Sequence, residues 1–424
     1  MSLSAIKTSI LNGDFDQDFS LLYTDVNRAQ GRFLSALDGF FTNFGDCKEI
    51  KLFSAPGRTE VGGNHTDHQH GNVLAGSVNL DTIAVASKEK SRNIRIFSEG
   101  YGLIEVNLDN LQSLAEEQGT TISLIKGIST ELLKIGFKVG GFNAFVTSNV
   151  LKGSGLSSSA SFEVLICTIL SHFYNEGNID PITAAKVSQK AENTYFGKPC
   201  GLMDQMACSV GGFLAIDFEK SDNPKINKID FNLADFGHTL CIINTGGNHS
   251  DLTDEYASVT AEMRQVANFF GKAYLSQIPE HIFYSNFSEV KNACDNRAVL
   301  RAVHFFDETK RAALEASALE NKDFPGFLRL VNESGNSSLS FLQNVYSVAH
   351  PKNTELLTAI YISKKFLAGR GAVRVHGGGF AGTIQAIVPN EMLSKYKELM
   401  QQNFGENSFF ALSIRNVGGY CLKK

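Results

Sequence analysis

Four stretches of the chain carry residue types and spacings that could do chemistry. The first runs from Ala55-Pro56-Gly57-Arg58 to Gly62-Gly63-Asn64-His65-Thr66-Asp67-His68. Arg, His and Asp in one short polar run offer donors and acceptors to a polyhydroxylated ligand, while a solvated turn is the plain alternative. His65, Asp67, His68 and His70 could also ligate a metal, but their spacing matches no common zinc signature and no second cluster stands nearby. The second stretch is Lys152-Gly153-Ser154-Gly155-Leu156-Ser157-Ser158-Ser159-Ala160, directly before an apolar run. Its glycines let the backbone approach an anion, and the free N–H groups and positive end of the following helix attract phosphate. A serine N-cap with a flexible lead-in would look the same. No Walker A pattern occurs anywhere in the chain.

The third stretch, Gly377-Gly378-Gly379-Phe380-Ala381-Gly382, has the spelling of a dinucleotide fingerprint. Thr383 to Val388 reads as a strand, however, and that fingerprint needs a helix there. A strand, a glycine loop and a strand predict close backbone approach to another segment or to a ligand. Asp204 is the fourth feature. It sits in Pro199-Cys200-Gly201-Leu202-Met203-Asp204-Gln205 among small and apolar residues, so it is either buried and hydrogen-bonded or placed to act on a ligand. Asp235-Phe236-Gly237 spells a protein-kinase tripeptide without the catalytic-loop sequence that should precede it, and is chance.

The elements that must position these residues are mixed. Val78 to Ser87, Asn93 to Ser98 and Phe142 to Thr147 predict strands, and so do Phe213 to Asp217 and Thr239 to Asn244. Ile122 to Ile135 has apolar residues at helical spacing, and Ala160 to Phe173 predicts a largely buried helix. Helical patterns dominate the second half, at Glu255 to Phe270, Ala298 to Leu319 and Thr354 to Leu367, with short strands at Ala372 to Val375 and Thr383 to Val388. Without a regular βαβ alternation this is an α+β chain. Its 424 residues predict two domains, divided at the polar connection Ser221 to Lys228 into residues 1–228 and 229–424.

Composition bounds the partners. Hydrophobic residues make up 43% and charged residues 20%, as in an ordinary globular protein. A formal charge of -5 argues against nucleic acid or an anionic membrane as the main partner. Seven scattered cysteines without a C-x-x-C pair predict reduced thiols in a cytoplasm. The acidic opening MSLSAIKTSILNGDFDQDF lacks the pattern of a signal peptide, and no run approaches the roughly 18 apolar residues of a membrane span.

Taken in order, the segments resemble the motifs of the GHMP kinases, and the first resembles that of the galactokinases among them. The galactokinase signature reads approximately G-R-x-N-L-I-G-E-H-T-D-Y-x-x-G, against GRTEVGGNHTDHQHG from Gly57 to Gly71 here. GSGLSSSA is similar to the family's phosphate loop, VHGGGFAG from Val375 to Gly382 to its third motif, and PCGLMDQ to a galactokinase segment. The motifs are spread from about residue 53 to about residue 385.

The resemblance implies a ribosomal-protein-like α+β N-terminal domain, a ferredoxin-like C-terminal domain and an active site between them. It implies ATP-dependent phosphorylation of galactose at the C1 hydroxyl, with Asp204 taking the proton and Arg58 holding that hydroxyl. Gly153, Gly155, Leu156, Ser157, Ser158 and Ser159 would cradle phosphates, with Gly377, Gly378 and Gly379 as the third motif. Ser159 and Glu192 would contact Mg2+, for which hard oxygen ligands are suited. Asn64, His65, Asp67, Gly201 and Tyr256 fall on sugar-contacting positions. The partners implied are a small sugar and ATP, with a monomer or weak homo-oligomer as the assembly. Two departures bear on the sugar: Asn64 replaces the signature's glutamate and His68 its tyrosine. They keep N-acetylgalactosamine, arabinose or another sugar as alternatives, and Asn64→Glu is expected to tighten galactose binding if galactose is the substrate. A catalytically silent sugar and ATP sensor is a further alternative, disfavoured because GLSSSA, Arg58 and Asp204 are all intact.

Overall fold

The computed structural model describes residues 2–150, 155–221, 223–246 and 252–423. Helices α1 (Leu3–Leu11), α2 (Asp16–Leu22) and α3 (Val26–Phe44) come first, followed by β1 (Ile50–Gly62), β2 (Asn72–Lys88), β3 (Asn93–Ser98) and β4 (Gly102–Asn107). Then follow α4 (Thr121–Lys134), β5 (Phe142–Ser148), α5 (Ser158–Tyr174), α6 (Pro181–Lys190), α7 (Met203–Val210), β6 (Phe213–Asp217) and β7 (Lys225–Ile229). These seven strands, joined by β12 (Tyr420–Cys421) from the far end of the chain, form one sheet ordered β12-β1-β2-β5-β3-β4, with β6 and β7 continuing from β2.

Alternation along β1 and β2 explains why helices cover both faces of this sheet. Phe53, Ala55, Ala84 and Ala86 enter a core with α4, α5 and α6, whereas Ile50, Leu52, Ile83 and Val85 face a second core filled by Phe19, Phe33 and Phe40 of α2 and α3. Strands covered on both sides read as nearly continuous apolar runs, which is how Val78 to Ser87 stands in the sequence.

A second, antiparallel sheet, ordered β11-β8-β10-β9, is made of β8 (His238–Asn244), β9 (Ala372–Val375), β10 (Thr383–Pro389) and β11 (Phe409–Leu412). Between β8 and β9 lie α8 (Thr253–Phe269), the short α9 (Glu280–Ser285) and α10 (Phe287–Ala293), then α11 (Asn296–Glu320), α12 (Phe324–Ser337) and α13 (Glu355–Leu367); α14 (Leu393–Phe404) follows β10. One core cluster runs from Val61, Leu74 and Phe213 of the first sheet through α11 and α12 to Leu240, Ile242 and Ile387 of the second.

The expected α+β character stands, and two local readings are corrected. Ala55 to Gly62 was expected to be part of a polar loop but is the second half of β1 and is buried; register shifts at Pro56/Arg58 and Glu60/Gly62 bend it. Such bulges re-aim side chains without ending the strand. The polar connection before Lys228 contains β7, which among the described residues pairs only with β6 and whose lysines suit a solvent edge. Helices α1–α3, unread in the sequence, pack on the outer face of the first sheet. Among the described residues no helix is long and apolar enough to cross a membrane, and all seven cysteines are free thiols.

Candidate active site

Arg58 reaches the site because the bulge after Pro56 turns its side chain off β1. Its Nε and Nη2 donate to the two carboxylate oxygens of Asp204, both at 2.7 Å, a bidentate fork that fixes both partners in one plane. Asp204 lies in the first turn of α7, where the helix dipole favours a negative charge. Ser157 Oγ donates to Asp204 Oδ2 at 2.8 Å, and Arg58 Nη1 donates to the Gly155 carbonyl. One carboxylate therefore joins the first motif, the glycine-serine turn and PCGLMDQ. The Asp204 side chain is still 26% exposed, so a ligand can reach it. Burial alone would raise its pKa, but the Arg58 guanidinium and the Ser157 hydroxyl outweigh that and hold it below the usual carboxylate range.

The glycine-serine turn ends at Ser157, whose φ of 56° and ψ of 70° put a non-glycine residue in the left-handed region at the start of α5. That conformation turns its hydroxyl to Asp204 and leaves the first N–H groups of α5 without an Oγ cap from Ser157. Ser158 and Ser159 occupy the first turn of this 17-residue helix, where an anion would meet the free N–H groups. Gly153 lies outside the described residues.

Gly155 packs against the third glycine segment: a Cβ on Gly377 would lie 3.3 Å from its Cα. That segment is a hairpin loop between β9 and β10, which bears out the close-approach reading over the dinucleotide one. Three of its carbonyls each accept from a different side chain. Asn64 Nδ2 donates to Gly377 O at 2.8 Å, His65 Nε2 to Gly378 O at 3.0 Å and Tyr256 Oη to Gly379 O at 3.0 Å. Asn64 is fully buried.

Asp67 faces Gly201 so closely that a Cβ there would sit 1.8 Å from its Oδ2. Burial, and then the charges of Asp204 and Glu60, push the Asp67 carboxyl up to about 6. His68, held neutral by burial with its pKa lowered to about 3, has its Nδ1 beside Gln69 Nε2 and its buried Nε2 without a partner. His70 stacks on Tyr274 at 3.8 Å. The His65 and His68 rings meet edge to face with centroids 5.7 Å apart, yet among the described residues no group of three or more His, Cys, Asp or Glu that could hold a metal forms.

Glu192 is set back from Asp204 in a network of its own. Its Oε2 accepts from Gln205 Nε2 at 2.8 Å and Cys200 Sγ at 3.2 Å, and its Oε1 from Lys198 Nζ at 3.1 Å. Gln205 Nε2 also donates to Glu163 Oε2 at 3.1 Å, leaving Glu163 Oε1 and Gln205 Oε1 buried without partners. Burial and then the Glu192 charge drive the Glu163 pKa well up. Glu163 follows Ser159 by one turn of α5 and so shares its face. Orphaned carboxyl and amide oxygens beside a serine hydroxyl are the hard donor set a small divalent cation takes.

Comparison with known proteins follows the same residues. The galactokinase galactose-binding signature matches residues 38–88, and the GHMP kinases N-terminal domain matches residues 123–212. A galactokinase of Clostridium tetani is 29% identical over 368 residues, 84% of this chain and 88% of that protein. One of Clostridium beijerinckii is 29% identical over 398 residues, 90% of this chain and 97% of that one. The crystal structure of Lactococcus lactis galactokinase complexed with galactose superposes with a TM-score of 0.79 at 25% identity, covering 92% of this chain and 99% of that chain.

The chain carries a GHMP kinases N-terminal domain and is similar to galactokinases.

Several residues of this site went unread in the sequence. Glu163 had a signal, since it is the lone acid inside the apolar run Ala160 to Phe173. Lys198 directly precedes PCGLMDQ and Gln205 is its last residue, and both could have been picked out as partners for Glu192. Asn344 donates from Nδ2 to Asn64 Oδ1 at 2.7 Å and to Gly378 O at 3.1 Å; nothing around it in the sequence marks it.

Proposed function

We propose that this protein transfers the γ-phosphoryl group of ATP to the C1 hydroxyl of galactose. The observation that carries the reading is the Asp204 carboxylate, shared by Arg58 of the galactose-signature strand and Ser157 of the phosphate turn. An ionised carboxylate has about four acceptor positions; three are taken, leaving one open to a sugar hydroxyl. Phosphoryl transfer asks mainly for positioning and charge stabilisation, and Arg58 supplies both beside the base. Asp204 is a weak base because Arg58 lowers its proton affinity. It accepts the hydroxyl proton as the oxygen bonds to phosphorus and becomes acidic. Asp67, backed by Gly201, orients the remaining hydroxyls.

The start of α5, with Ser157, Ser158 and Ser159, cradles the phosphates, and Gly155 leaves room for them. Ser159 and Glu192 would hold Mg2+, with Glu163 beside them; that ion, when bound, supplies charge neutralisation on the phosphates. The direct test is ADP release with MgATP across galactose, N-acetylgalactosamine, arabinose and glucose. Turnover with galactose is the expected outcome. Turnover confined to another sugar would move the substrate, and sugar binding without any turnover would overturn the kinase reading.

A further inference from the structure

Asn64 stands where the galactokinase signature has a glutamate, and Glu60 where it has an asparagine, so this chain carries the same two side chains in exchanged order. The structure shows what the exchange does. Asn64 is 0% exposed, and every hydrogen-bonding position of its amide is used within the protein. Its Nδ2 donates to Glu60 Oε1 and to Gly377 O, both at 2.8 Å. Its Oδ1 accepts from Asn344 Nδ2 at 2.7 Å and from Ser338 Oγ at 3.4 Å. Nothing is left for a sugar. Glu60 in turn pairs with the fully buried Arg374, whose Nη2 donates to Glu60 Oε1 at 2.7 Å.

A glutamate at 64 could not make these bonds. It has no N–H for the Gly377 carbonyl, and it would bring a second buried carboxylate against Glu60. Gly377, the carbonyl Asn64 holds, packs on Gly155 of the phosphate turn, and the Gly155 carbonyl accepts from Arg58. Glu60 to Asn64 to Gly377 to Gly155 is thus an unbroken line from the Arg374 ion pair to the phosphate side of the site.

We propose that Asn64 is a positioning residue for the phosphate-side glycines and makes no sugar contact, and that Glu60 and Asn64 form one matched unit. The proposal rests on the reading of the site as a sugar kinase. It reverses the sequence expectation for Asn64→Glu, which should now harm the protein without tightening galactose.

The experiment compares Asn64→Asp and Glu60→Gln with the double variant Glu60→Gln/Asn64→Asp, which moves the charge four residues without changing side-chain shape. Asn64→Asp alone places two buried carboxylates together, and Glu60→Gln alone takes the charge partner from buried Arg374, so each lowers the melting temperature; in the double variant the two carboxylates no longer meet, and its loss is smaller than the sum of the two single losses. Gly377 O has lost its donor in both variants that carry Asn64→Asp. Below its melting temperature the double variant should therefore show a KM for ATP raised about five- to tenfold, the worth of one hydrogen bond. Its galactose affinity, measured by calorimetry without nucleotide, stays within about twofold of wild type on the same scale. Tighter galactose binding with an unchanged KM for ATP would overturn the proposal, because it would show position 64 reading the sugar. So would a double variant whose loss of melting temperature equals or exceeds the sum of the two single losses. If the wild type turns over no sugar, the kinase reading fails, and nucleotide affinity by calorimetry still reports on the glycine line.

Discussion

Asp204 must take a proton, yet its surroundings keep it charged and weakly basic, so its value to the reaction lies in where it is held. Asp204→Asn keeps the shape and the Ser157 neighbour but removes the base and half of the Arg58 fork. A loss of roughly 10²- to 10⁴-fold in kcat, the usual worth of a positioned general base, is expected, with galactose and ATP still binding by calorimetry. Wild-type turnover would remove Asp204 from the chemistry. Asp67 makes a pH prediction at the same scale. Its folded-state pKa of about 6 lies above its ordinary 3.8, so it is ionised above about pH 6 and neutral below. A carboxylate that accepts from sugar hydroxyls is then lost on acidification, and the KM for galactose should rise as pH falls through 6. Stability runs the other way: the folded state binds this proton more tightly than the unfolded, so Asp67 makes the fold less stable as pH rises from 3.8 to 6. Asp67→Asn should flatten the KM profile in this window, and an unchanged profile would mean that another group sets it.

The β9–β10 hairpin shows how an element, once placed, restricts its residues. Gly379 has a φ of 82°, and a Cβ there would lie 2.1 Å from the Asn344 carbonyl oxygen. Gly369 has a similar φ of 80° with nothing within 4 Å. Gly369→Ala should therefore cost only the left-handed backbone penalty, about 1 kcal/mol. Gly379→Ala adds a backbone clash, for a total of about 2–4 kcal/mol, and shifts the loop that Tyr256 and His65 hold. Urea unfolding of the two variants checks the difference; equal losses would show that the loop moves aside freely. Elements of this kind were partly legible. Asn93–Ser98, Phe213–Asp217 and Ala372–Val375 stand at their predicted bounds, because β-branched and apolar runs there are bounded by turn residues. The second half of β1 was not legible. Arg58 and Glu60 are polar, and their partners Asp204 and Arg374, more than 140 residues away, make burial tolerable, as Asn344 does for Asn64 just beyond the strand. Asp204 and Arg58 could be picked out by type and by resemblance, whereas the engagement of Asn64 depended on Asn344 and Ser338, which no local pattern links to it.

At the scale of the molecule, one buried carboxylate ties the two ends of the chain to the middle. Asp81 of β2 accepts from Arg32 of α3, from Tyr23 Oη at 2.5 Å, from Ser54 of β1 and from Arg415 Nη1 at 3.3 Å. Its backbone N–H donates to Asn149 Oδ1 at 2.7 Å, at the exit of β5. Burial would raise its pKa, but Arg32 and Arg415 prevail and hold it low. The sign of the linkage follows: the stability Asp81 confers is present above its ordinary 3.8 and lost only as pH falls below that. Asp81→Asn leaves two guanidinium groups facing a neutral amide in the interior. Removing one side of a buried pair costs about 3–5 kcal/mol, so a loss of that size is expected in chemical denaturation at pH 7. The exposed Lys7–Asp38 pair, 43% and 63% accessible, is the natural comparison, and Asp38→Asn should change stability by under about 1 kcal/mol. Because Asp81 joins α3 to the sheet and to the returning C-terminal segment, the Asp81→Asn variant should also release the N-terminal helices first. Hydrogen exchange in α1–α3 then outpaces that in α5, whereas uniform protection across both would show that these helices hold to the sheet through their phenylalanines alone.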